Sequence, residues 1–401
     1  MNNGESMPAM LQDPPDFSLV LGGPLYQLWR KAHLGGDAMA VVLRRILAAV
    51  LLTWLPLLLL SLAQGNLWGD SVKLDFLHDI EMHVRLLIAL PILILAELIV
   101  HQRMRPVVGH FLTSGLITEA TRAQFTAAVT AALRLRNSVS AEVLLLLLVY
   151  SVGVLVVMPA QIGFGTSSWY GSTQDGAMQP TWAGWWMGLV SLPIFQFILL
   201  RWYFRLFIWA RFLWQVSRIQ LNLMPMHPDR AGGLGFLGGV SQAFAPVLVA
   251  QGALLAGLMA NRMFFAGATL IEFKYEVGGL VAVMVFAVLG PLLVLSPALA
   301  AARRTGMREY GALAHRYAIE FDRKWLRGGA AVDEQLIGSG DIQSLADLGN
   351  SYNIMKEMKP LPFNLRNVTQ LGMATLLPAA PLLLTIMPLE QLLAGLAKIL
   401  L

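Results

Sequence analysis

Apolar residues gather into seven stretches of this chain, at roughly 46–64, 85–101, 141–160, 183–206, 243–264, 278–301 and 370–388. Each has about the 20 residues that a helix needs to cross roughly 30 Å of hydrocarbon. The segments between them divide by pattern. In 102–140, Phe125, Ala128, Val129, Ala132 and Leu133 recur at helical spacing, which predicts an amphipathic helix running into the third stretch. In 303–367, Tyr310, Ala314, Tyr317, Phe321 and Trp325 form one apolar stripe that ends at Gly328-Gly329. After the turn-like Gly338-Ser339-Gly340-Asp341, a second stripe uses Ile342, Leu345, Leu348, Tyr352 and Met355. Leu25, Leu28 and Trp29, followed by Arg30 and Lys31, predict a short helix lying on the membrane surface. Residues 1–20 show no such pattern and are expected to be disordered. The loop 161–182 is rich in Gly, Ser, Thr and Gln, with Asp175 its only charge, and is expected to be a flexible connection. Pro378, Pro381 and Pro388 predict a broken last helix, with 389–401 as a second half-helix or an external surface helix.

Composition narrows the class. The chain is 56% hydrophobic and 13% charged, against about 25% charged in an ordinary soluble domain. The net charge is +5, but no basic patch falls in a known nucleic-acid module, so nucleic acid is not an expected partner. With no cysteine, neither a disulfide framework nor a thiolate nucleophile nor a Cys-ligated metal is possible. No cofactor motif is present. No cleavable signal peptide is visible, and the first crossing helix is expected to serve as the targeting signal.

The placement of charge gives orientation. Of the twenty-nine Lys and Arg residues, all but Lys73, Arg85, Arg262, Lys274 and Lys398 fall on one side of a single membrane threading. Cations accumulate on the cytoplasmic side because translocating them is costly, which predicts the amino terminus inside and the carboxyl terminus outside. The expected fold is an all-α polytopic membrane helix bundle of about seven transmembrane helices with cytoplasmic amphipathic helices. Its expected parts are a cytoplasmic segment at 1–45 and crossing helices 1–6 within 46–302. A cytoplasmic helical hairpin at 303–367 and a proline-broken seventh helix with an external end at 368–401 complete it. Trp182, Trp185, Trp186, Trp202, Trp209 and Trp214 cluster along the fourth helix and are expected at its two interfaces.

The sharpest local pattern is His227-Pro228-Asp229-Arg230-Ala231-Gly232-Gly233-Leu234. Glycines such as Gly232 and Gly233 permit close backbone approach, exposed amides could hold an anion or phosphate, Arg230 adds positive charge, and Asp229 could orient His227. The bland alternative is a tight turn that returns the chain to the membrane. No Lys-Ser/Thr follows at the spacing of a phosphate-binding loop. Within the membrane Glu97 is the best candidate, since carboxylates there usually face the bundle interior. It could serve as a cation ligand, a proton acceptor or the partner of Arg201 or Arg205. It also shares a helix face with His101, and two ligands are weak grounds for a metal site. Outside, His78, Asp79, Glu81 and His83 match no strong metal motif and are expected to be solvated. Gln196, Gln251 and Asn261 are expected to hydrogen-bond between helices, with pore lining as the alternative.

The run from His227 to Leu234, together with Ile342-Gln343-Ser344-Leu345-Ala346-Asp347-Leu348-Gly349-Asn350-Ser351, resembles segments of an uncharacterised family of bacterial polytopic inner-membrane proteins. That resemblance implies a multi-pass protein of a bacterial inner membrane and carries no activity. The functional expectation is a channel or transporter-like protein that moves an ion or small solute as a homo-oligomer, in contact with membrane lipid. The alternatives are a non-transporting scaffold or regulator that recruits a cytoplasmic protein partner, and a membrane enzyme using His227 and Asp229 on a lipid-linked or phosphate-containing substrate.

Overall fold

The computed structural model describes residues 17–31, 39–69, 72–152, 167–174, 177–331 and 333–385. Its helices are α1 (Pro24–Lys31), α2 (Met39–Ala63), α3 (Ile80–Thr113), α4 (Glu119–Arg136), α5 (Val139–Val152), α6 (Trp182–Val216), α7 (Phe236–Ala266), α8 (Leu270–Leu326), α9 (Gly340–Lys356) and α10 (Leu365–Thr385). The protein is an all-α helical bundle. Helices α2, α3, α6, α7, α8 and α10 are each long and apolar enough to cross a membrane. Helices α4 and α5 meet at a bend of 43° and together make a seventh candidate. The outer part of the third stretch, all of 161–166, Asp70, Asp175, Pro388 and 389–401 lie outside the described residues.

Burial separates a centre from a periphery. The most apolar window of α7 is 67% buried and that of α6 is 56% buried, against 22% for α2 and α8 and 17% for α10. Helix α7 packs against α3 and α10, and α6 packs against α3, α4, α5 and α8. The poorly buried helices expose Leu43, Leu47, Leu51, Val283 and Phe286. In a bilayer those side chains face lipid tails as apolar as themselves.

At several prolines the helical winding changes, although Pro106 sits in regular α-helix. A π turn at Val84–Ala89 precedes Pro91, and another at Met187–Ser191 precedes Pro193. A 3-10 turn at Gly290–Leu295 contains Pro291, and the last span winds into 3-10 geometry from Leu377, around Pro378 and Pro381. Proline has no N–H to donate, and rewinding the turn around it lets the neighbouring carbonyls find other partners.

Several expectations change. Phe17, Leu19 and Val20 are buried in the core, so 17–20 is ordered. The loop after α5 is not simply flexible. It forms an antiparallel hairpin of β1 (Gly171–Gln174) and β2 (Ala177–Pro180), with Trp169 fully buried beneath it. Trp202 and Trp209 are fully buried within the bundle, whereas Trp182, Trp185 and Trp214 are exposed. The Tyr310–Trp325 stripe belongs to the continuous rod of α8 and packs on α9, as Tyr317 donates to the carbonyl of Asp341 at 3.0 Å. Ile342, assigned to the facing stripe of α9, is exposed instead.

Candidate functional site

Four helices bring charge together in the interior. Helix α3 contributes Glu97, α2 contributes Arg45, α6 contributes Arg201 and Arg205, and the first turn of α5 contributes Glu142. Arg201 and Arg205 are one turn apart, so both project from the same face of α6. Arg205 donates to Glu97 Oε1 at 2.6 Å, and Arg45 approaches Oε2 at 3.5 Å. Arg201 bridges the two carboxylates, at 3.8 Å from Glu97 and 3.2 Å from Glu142. All three arginines and Glu142 are buried, and Glu97 is nearly so. The Arg205 guanidinium also lies over the Trp202 ring, 4.5 Å from its centroid. Trp202 in turn donates to the Leu93 carbonyl at 2.9 Å, so the aromatic beneath the cluster is itself fixed to α3.

The amino-terminal segment packs beside this cluster and reaches it through the Leu25 amide. Phe17 packs 5.0 Å from the ring of Phe212, and Ser18 meets His101 Nδ1 at 2.9 Å. Arg136 donates to the Ser18 carbonyl. Asn137 accepts the Gly23 amide, and the second oxygen of Glu142 accepts the Leu25 amide at 2.8 Å. The start of α1 is therefore anchored on the same carboxylate that binds Arg201. Glu97 and His101 share a helix face but turn to different partners, so they do not converge as a ligand pair. Sequence reasoning overlooked Arg45, Glu142 and Ser18 as members of this cluster. The available signal was weak: Glu142 is the lone acid at the head of an otherwise apolar run, and Arg45 resembles an ordinary flanking cation.

Gln251 is not part of the cluster. It donates to the Tyr203 hydroxyl at 2.7 Å, on the face of α6 opposite Arg201 and Arg205. On the other side of the bundle, His78, Asp79, Glu81 and His83 also diverge. His78 pairs with Asp75, Glu81 with Arg85, and His83 packs on Phe76 and Trp54. Asp79 caps a helix turn at the Met82 amide and also accepts from Trp169 Nε1 at 3.0 Å and Asn261 Nδ2 at 2.9 Å. Among the described residues no group of three or more His, Cys, Asp or Glu is placed to hold a metal ion.

In the loop between α6 and α7, the amides offered to an anion face one that the chain supplies itself. Asp229 Oδ1 accepts from Ala231 at 2.8 Å and Gly233 at 3.2 Å, and Oδ2 accepts from Gly235 at 2.8 Å. His227 Nδ1 lies 2.8 Å from the same carboxylate. Burial alone would push the Asp229 carboxyl up, but the three amides and the His227 ring outweigh it and hold the group below the usual carboxylate range. Arg230, Gly232 and Gly233 all have positive φ, which suits the two glycines. Arg230 pairs with Glu357 at 3.0 Å, and its carbonyl accepts the Lys359 amide at 2.8 Å, joining the loop to the segment after α9.

No protein-family model matches the chain, and no curated protein or solved structure was found to be similar to it. The resemblance carried by His227–Leu234 and Ile342–Ser351 thus stands on those residues alone.

Proposed function

We propose that this is a multi-pass protein of a bacterial inner membrane, amino terminus inside, that moves a small ion or solute as a homo-oligomer. The observation that supports this reading is the interhelical cluster of Glu97 and Glu142 with Arg45, Arg201 and Arg205. Buried ion pairs contribute little net stability relative to apolar packing of the same volume. Ionisable groups inside a bundle characteristically mark ion or substrate paths. With three guanidinium groups on two carboxylates, Glu97 is neutralised and the cluster keeps a positive surplus, which favours a small anion over a cation.

The test is flux in liposomes that contain the full-length protein. Wild type is expected to pass small inorganic anions, with Glu97→Gln altering the rate at least about tenfold. Wild-type liposomes impermeable to every anion, cation and small solute offered would overturn the proposal.

A second reading, a scaffold that recruits a cytoplasmic partner, is favoured by the end of the α8–α9 hairpin. Leu326, Leu336, Ile337 and Ile342 are all exposed there. Capture of one stoichiometric soluble protein by wild type, abolished in Ile337→Asp, would support it over transport. The enzymatic reading has less to stand on, because the amides beside His227 already bind Asp229.

A further inference from the structure

We propose that the protein carries a specific site for an anionic phospholipid, with its headgroup on Arg303, Arg304 and Arg308 and its acyl chains along the outer face of α8. A cleft of about 550 Å³ opens between the rod of α8 and the chain around Tyr352 and Pro360. Its lining joins the three arginines to Ala300, Met307, Tyr352 and Pro360, so strongly basic and apolar groups face one space. Arg303 is fixed by donating to the Lys356 carbonyl at 2.9 Å. Arg304 and Arg308 have no carboxylate partner among the described residues, so two guanidinium groups remain available to a phosphate.

The position selects the source of that phosphate. The apolar run of α8 gives way to charge at Arg303, which places the cleft at headgroup depth on the cation-rich side of the bundle. Further along the same rod lies an apolar groove of about 310 Å³, lined by Val281, Val285, Phe286, Leu289, Leu293 and Val368 among others. From Leu293 to Ala300 the rod rises only about 10 Å. The turn that supplies Pro360 to the cleft supplies Phe363 to the groove. A basic cleft followed along the same helix by an apolar groove has the polarity of a phospholipid, not of a soluble phosphate ester. Diffuse attraction of basic loops to an anionic surface would need neither feature.

The experiment uses full-length protein in a non-ionic detergent, with lipid binding followed by native mass spectrometry and by thermal shift. Phosphatidylglycerol, phosphatidylcholine with the same acyl chains, and glycerol phosphate are compared. Phosphatidylglycerol is expected to bind and raise the unfolding temperature, and the other two to do neither. The double variant Arg304→Gln/Arg308→Gln should lose about tenfold or more in affinity. Arg316→Gln/Arg323→Gln removes the same charge from exposed positions elsewhere on α8 and should leave affinity unchanged. Val285→Trp, which fills the groove, should weaken lipid binding with the arginines intact. Equal losses in the two double variants would overturn the proposal, as would stabilisation by glycerol phosphate equal to that by the lipid.

Discussion

Asp229 shows how one side chain can organise a turn. Its carboxylate replaces solvent for three backbone amides within six residues, and Gly235 must lack a side chain because a Cβ there would lie 2.9 Å from Asp229 Oδ2. Asp229→Asn would turn an NH₂ towards the Gly235 amide, donor against donor. The expected loss is about 1–3 kcal/mol of stability at pH 7, measured by thermal unfolding in detergent. The pH dependence has a definite sign. Because the folded carboxyl sits below its ordinary value, its contribution is fully present above about pH 4 and fades as pH falls towards the lowered folded value. Wild type should therefore hold this contribution at pH 5, and a loss centred near pH 6 would show that Asp229 is not the group responsible. The sequence exposed Asp229 and its glycines plainly. Which anion those amides would hold was not legible, because a carboxylate in the loop and a phosphate in solution satisfy the same geometry. Glu97 was legible for a different reason: a carboxylate in an apolar run must find cations. Arg45 and Glu142 escaped because their roles depend on how α2 and α5 are rotated against α3, and near-uniform apolar runs carry little rotational signal.

Among the elements, α7 and α10 are held by a contact that needs glycine. A Cβ on Gly252 would come within 1.9 Å of the Thr375 carbonyl oxygen, so the two backbones touch at that point. Close approach at small residues is how membrane helices gain van der Waals contact without a hydrophobic driving force. Gly252→Ala should separate α7 from α10 and cost about 1–3 kcal/mol, whereas Gly279→Ala, with open space around it, should be near neutral. The comparison is read by thermal unfolding of both variants in one detergent. Equal stability of the two would mean that α10 does not dock on α7 as described. The apolar stretches were recoverable from the sequence because membrane thickness sets their length. The segment at 17–20 was not, since four residues are too few to show a period and its burial depends on Phe212 and His101, which are far away in the chain.

At the scale of the whole molecule, the number of crossings can be argued from two loops that touch. The Trp169 amide donates to the Leu74 carbonyl at 2.9 Å, and Leu74 bridges Ser168. The segment after α2 and the segment after α5 must then lie on the same side of any membrane the bundle spans. An even number of crossings separates them, so if α3 crosses, the bent α4–α5 pair crosses once as well. The chain has no cysteine, so single reporters can be introduced without background. Trp68 and Ile337 are well exposed, and Gln179 is exposed on β2. In right-side-out vesicles, an impermeant maleimide should label Trp68→Cys and Gln179→Cys directly, and Ile337→Cys only after permeabilisation. The last result follows because α6, α7 and α8 place an odd number of crossings between residues 179 and 337. If α4 and α5 failed to cross, residues 179 and 337 would both exchange sides while residue 68 stayed outside. If instead the orientation inferred from lysine and arginine were inverted, all three reporters would exchange together. The two failures have different signatures, and either one would remove the arginine cleft of α8 from the cytoplasmic leaflet.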